Sequence, residues 1–78
     1  MNQERRKLIS AQISALQNIE YALTDVAEAE QEAFDNMPEG LQNSARGEAM
    51  QEALNQLEEA MESIRNACDS LSESIRSE

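Results

Sequence analysis

Few side chains in this sequence could do chemistry, and their types limit what that chemistry could be. There is no histidine, so a serine or cysteine nucleophile lacks its usual base. Cys68 is the single thiol. It stands where the surrounding pattern calls for an apolar residue, so it reads as a small core side chain rather than a reactive one. It has no intrachain disulfide partner. Carboxylates cluster at Glu28, Glu30 and Glu32 and again at Glu58, Glu59 and Glu62. Di-metal helical bundles combine inward glutamates with a Glu-x-x-His motif. Without histidine, and with most of these residues off the apolar seam, a solvated acidic face is expected. The sequence offers no catalytic residue, cofactor or metal ligand, and the expectation is a protein that is not an enzyme.

Two features could carry recognition instead. Glu30 occupies a position in the apolar repeat that calls for a greasy residue, near Met50 and within reach of Arg46. It reads either as a register-fixing polar residue in the seam or as a contact in a partner pocket. The stretch from Phe34 to Gln42 spends the only phenylalanine, the only proline and one of the two glycines. It reads as a structured cap over the end of the core, with Leu41 folding onto Phe34 and Met50. The alternative is a recognition tip built from Phe34, Met37, Leu41 and Arg46.

The elements that position these residues are helices. Alanine, glutamate, glutamine, leucine and serine dominate, which is a helix former's composition. In the first segment Ile9, Leu16, Ile19, Leu23, Val26, Ala33 and Met37 form one stripe, with Ile13 widening it near the start. In the second, Met50, Leu54, Leu57, Met61, Ile64, Cys68, Leu71 and Ile75 alternate steps of four and three without a break, as in a heptad seam. Pro38 ends the first helix, and Gly40 offers a left-handed turn. Ser44 caps the second helix, and Gly47 is a weak spot in its first turn. Pro38 to Gln42 could make a helical turn of their own. The expected fold is all-α: one antiparallel, coiled-coil-like hairpin domain, with helices over about 2–36 and 45–76 and a loop at 37–44.

A second regularity predicts self-association. Ala15, Ala22 and Ala29 are spaced by seven, as are Ala53, Ala60 and Ala67. Each precedes a seam position, so the apolar stripe is wider than two helices can cover. A dimer forming a four-helix bundle would cover it. The expected self-association core is Leu16, Ile19, Leu23, Val26, Leu54, Leu57, Met61, Ile64 and Leu71.

The formal net charge of −10 opposes direct binding to nucleic-acid phosphates or anionic membranes. It favours a protein partner with a basic surface. Glu20 to Glu62 hold twelve acidic residues and one basic, Arg46. Arg5, Arg6 and Lys7 sit at the other end of the rod, offset by Asp69, Glu73 and Glu78 arriving on the second helix. No apolar run approaches the ~20 residues that span a bilayer. The N-terminus lacks a secretory pattern, and a cytoplasmic location is expected.

The motifs Glu4 to Lys7, Phe34-Asp35-Asn36-Met37-Pro38-Glu39-Gly40-Leu41-Gln42 and Ser44 to Glu48 resemble small acidic proteins of phages, prophages and mobile elements of Gram-positive bacteria. This chain has more alanine, serine and glutamine on its outer faces than their Glu/Lys-rich pattern. The resemblance implies a context, an accessory protein in a host cytoplasm that binds and inhibits a host factor, and implies no activity. Four readings remain open. They are a non-catalytic interaction module, a nucleic-acid mimic filling a basic groove, an oligomeric sponge for a small molecule or nucleotide using Arg46 and the loop, and an RNA binder using Arg5, Arg6, Lys7 and Arg76.

Overall fold

The computed structural model describes residues 1–77. Glu78, expected beside the basic end, lies outside them. The described residues form three helices and no strand: α1 (Gln3–Asp35), α2 (Glu39–Gln42) and α3 (Ala45–Arg76).

Each boundary has a local cause. Asn2 is extended, and its side-chain oxygen accepts from the Arg5 N–H at 2.9 Å. That satisfies one of the donors a helix start leaves open. At the other end Pro38 bars helical geometry at Met37. The Asn36 N–H still reaches the Glu32 carbonyl at 3.0 Å, but the Met37 N–H turns to Phe34 at 3.0 Å, a tighter closing turn. The Pro38 carbonyl then accepts from both Leu41 and Gln42, at 2.9 and 3.0 Å, which makes α2. Ser44 caps α3 by accepting from the Gly47 N–H at 3.4 Å, while its hydroxyl donates to the Leu41 carbonyl.

The two glycines differ from their expected roles. Gly47 is buried, and a Cβ there would stand 2.0 Å from the Gln42 carbonyl oxygen and 2.7 Å from that of Leu41. Rather than a weak spot, it is the gap that lets α2 lie against α3. Gly40 does not adopt a positive φ. It sits in the right-handed turn of α2, and a Cβ there would meet nothing within 4 Å.

α1 and α3 run antiparallel. The Cys68 thiol lies 3.9 Å from the Ile13 carbonyl, Arg65 meets Glu20 at 2.7 Å, and the Thr24 hydroxyl meets the Met61 sulfur at 3.4 Å. As numbers rise along α1, their partners on α3 fall. The result is a rod of 58 × 16 × 12 Å. Among the described residues no helix is long and apolar enough to cross a membrane.

The seam on α3 is the expected one, with Met61 and Cys68 buried and Met50, Leu54, Leu57, Ile64, Leu71 and Ile75 half-buried. On α1 the structure corrects the expected stripe. The half-buried row is Ile9, Ile13, Leu16, Glu20, Leu23, Ala27, Glu30, Phe34 and Met37. Ile19 and Val26 point outward, 49% and 53% exposed, and Ala33 is exposed too. Two apolar stripes lie one residue apart on α1, and the sequence pattern blends them. The row facing α3 offers six large apolar side chains, whereas the other offers Leu8, Ile19 and Val26 among alanines. At roughly 1.5–3 kcal/mol per fully buried large side chain, that surplus outweighs half-burying two glutamates, one of them paired with Arg65.

The glycines give a paired test by thermal or urea unfolding. Gly47→Ala should destabilise by about 2 kcal/mol or more, because backbone must move to admit the methyl. Gly40→Ala should stabilise by about 0.5–1 kcal/mol, because open space and helical geometry leave only the gain in the unfolded state.

Candidate functional site

The α1–α3 seam divides the rod into two unlike sides. Antiparallel pairing brings residues that follow seam positions on both helices to one side, and residues that precede them to the other.

On the following side there is a groove of about 480 Å³. Its floor is Ala27, Leu54 and Met61, and its walls include Gln31, Gln51, Asn55, Glu58 and Arg65. The groove exists because Thr24 and Ala27 are too small to fill the space across from α3. Arg65 Nη1 donates to Glu20 Oε2 at 2.7 Å. That hydrogen bond, opposed by some burial and aided by the charges of Glu20, Glu58 and Glu62, raises the pKa of the guanidinium. The Thr24 hydroxyl turns back to its own helix, donating to the Glu20 carbonyl at 2.9 Å.

The preceding side is apolar and uncharged over most of its length. α1 contributes Leu8, Ala15, Ile19, Ala22, Val26, Ala29 and Ala33. α3 contributes Ala49, Ala53, Gln56, Ala60, Ser63, Ala67, Ser70 and Ser74. None of the described acidic residues falls on it, in a chain with sixteen. Its cations, Arg5 and Arg46, stand at opposite ends. Leu8, Ile19 and Val26 are large hydrophobics left in solvent. Carboxylates occupy the groove wall, at Glu28 and Glu58, and the backs of the helices: Asp25, Glu32 and Asp35 on α1, and Glu48, Glu52, Glu59, Glu62, Asp69 and Glu73 on α3, all exposed.

The expected loop residues come together only in part. Gln42 Nε2 donates to the Phe34 carbonyl at 3.0 Å, and the Ser44 N–H donates to that of Leu41 at 3.1 Å. These bonds close a cap that holds Phe34 and Met37 half-buried. Leu41, expected to fold inward, stays 49% exposed because α2 turns it away from the seam. Arg46 is exposed and Glu30 half-buried. Arg65 pairs with Glu20 and Arg76 with Glu73; Glu30 and Arg46 take part in neither pair. Glu30 lies instead beside Val26 and Ala29, next to the uncharged side.

The self-association residues also split. Leu16, Leu23, Leu54, Leu57, Met61, Ile64 and Leu71 are engaged in the intrachain seam. Ile19 and Val26 are the members left exposed. Cys68 is a buried free thiol. Among the described residues no three carboxylates or thiols converge as a metal site requires.

The pattern reading missed Glu20 as a seam residue. The signal was present: Ile13, Glu20, Ala27 and Phe34 are spaced by seven, but two of the four are not large apolar residues. It also missed the close backbone approach at Gly47, for which the glycine itself was the signal.

Glu30 is a polar residue in an apolar row, with no cation paired to it among the described residues. Glu30→Leu should therefore raise stability by about 1 kcal/mol, or about 4–8 °C in Tm, read by thermal unfolding. Unchanged stability with loss of partner capture would assign Glu30 to recognition.

Comparison with known proteins gives no match for this chain to a family model, a curated protein or a solved structure.

Proposed function

We propose that this chain is a non-catalytic interaction module. It self-associates through its uncharged side into a four-helix bundle, in the simplest case a twofold dimer, and offers its acidic backs to a protein with a basic surface. The observation that carries this reading is the carboxylate-free side, with Leu8, Ile19 and Val26 exposed on a chain of net charge −10.

The surface area supports it. The accessible surface is 5618 Å² for 8.7 kDa; a compact monomer of that mass exposes about 4,700 Å². The excess is close to the ~800 Å² that each partner contributes to a standard interface. The radius of gyration of 17.6 Å says the same, against about 11.5 Å for a compact domain of this length. Among the described residues only Met61 and Cys68 are buried apolar side chains. The loop and N-terminal resemblance to phage and mobile-element proteins makes a host factor the natural target for such a module, and inhibition the natural outcome.

A second reading has its own support. The six carboxylates on the back of α3, from Glu48 to Glu73, span about 37 Å at the helical rise, a charge track that could stand in for a nucleic-acid backbone. Partner binding that collapses with added salt and is competed by DNA would favour this mimicry over docking at the loop cap.

Light scattering on the purified chain should give a dimer mass. Val26→Glu should shift it towards monomer and lower the Tm, because a charge enters the apolar contact unpaired. Leu57→Glu should abolish helicity as well, because it strikes the intrachain seam. A wild-type monomer with full helical signal ends this reading.

A further inference from the structure

We infer that the second copy lies antiparallel to the first, with loops at opposite ends and a twofold axis crossing the rod at the level of Ala22 and Ser63. The inference rests on the self-association proposed above and adds its geometry.

The first argument is charge. Thr24 stands beside Met61 and Glu20 beside Arg65, so Ala22 and Ser63 share one level, near the middle of the rod. Between them, on the loop side, lie eleven acidic residues and one basic. The rest of the chain carries five of each. The whole formal charge therefore sits in the loop half. Two copies with loops together would stack these halves side by side, within one or two screening lengths. Reversing one copy sets each acidic half against a neutral half bearing Arg5, Arg6 and Lys7. The centres of the acidic halves then stand about 30 Å apart, roughly four screening lengths at physiological salt.

The second argument is register. A stripe with alternating steps of three and four maps onto itself to within one residue when reversed about one of its members. Reversal about Ala22 sets Ala15 against the partner's Ala29 and brings Ile19 within one residue, about 1.5 Å along the axis, of the partner's Val26. On α3, reversal about Ser63 sets Gln56 against the partner's Ser70 and brings Ala60 within one residue of the partner's Ala67. Both reversal points lie at the level defined by the intrachain contacts, so one axis serves both helices. Small residues at Ala22 and Ser63 let the backbones approach there, and no carboxylate faces another across the contact.

The test is oxidative cross-linking of single-cysteine additions. Ala22 and Ser63 are exposed, so Ala22→Cys and Ser63→Cys leave the intrachain seam intact. Cys68 is 8% exposed, and the wild-type chain supplies the background. Each variant alone should form a disulfide-linked dimer, about tenfold or more above background, because both sites lie on the axis at high effective concentration. In the loops-together arrangement α1 faces the partner's α3, so only a mixture of the two variants would link, through a mixed dimer identified by mass. That result overturns the orientation and leaves self-association standing. No link in any combination, with a dimer mass by light scattering, places the contact on another face and also overturns the inference. A monomer mass removes the underlying reading itself.

Discussion

One seam must hold this chain together, and α1 carries two rows able to form it. The rows sit one residue apart, about 100° around the helix, so they cannot both face α3. The richer row is taken, and everything else follows from that choice. Glu20 and Glu30 become seam residues because they share a row with Ile13, Leu23 and Phe34. Arg65 is drawn across the groove to Glu20. Ile19 and Val26 are displaced into solvent beside alanines. The row that loses inside the chain becomes its apolar surface.

Charge is arranged around the same choice. A chain this acidic can approach a copy of itself only along a strip without carboxylates, and the side preceding the seam is such a strip. The acidic residues are on the backs, the groove wall and the seam, where they keep the rod hydrated and repel unspecific contacts. The basic residues gather where the chain starts and near the end of α3. The proposed assembly uses this unevenness: the apolar strip supplies contact, and the charge gradient along the rod sets direction.

Much of the architecture was legible in the sequence. The unbroken repeat from Met50 to Ile75 gave α3 and its buried face, and Pro38 and Ser44 gave the helix limits within a residue or two. The α1 seam was harder to read because hydrophobicity alone does not separate two interleaved rows. Ile19 and Val26 look more like core than Glu20 and Ala27, and only pairing with α3 decides between them. Gly47 was misread for a related reason. A propensity scale sees a poor helix former, whereas the backbone of Gln42 pressing on that turn is a tertiary fact. Leu41 was misplaced because α2 rotates it away from the seam. The surface that carries the proposed function was half visible, as alanines spaced by seven. Its lack of acid emerges only when both helices are laid side by side.

The hairpin leaves Gln3 and Arg76 at the same end of the rod. A force applied between the two ends therefore loads the seam one layer at a time, as unzipping, and never shears the whole length at once. Ile9 and Ile75 would part first. The closure at Gln42, Ser44 and Gly47, where backbone touches backbone, would yield last. Mechanical resistance is thus concentrated at the tip farthest from the point of pull.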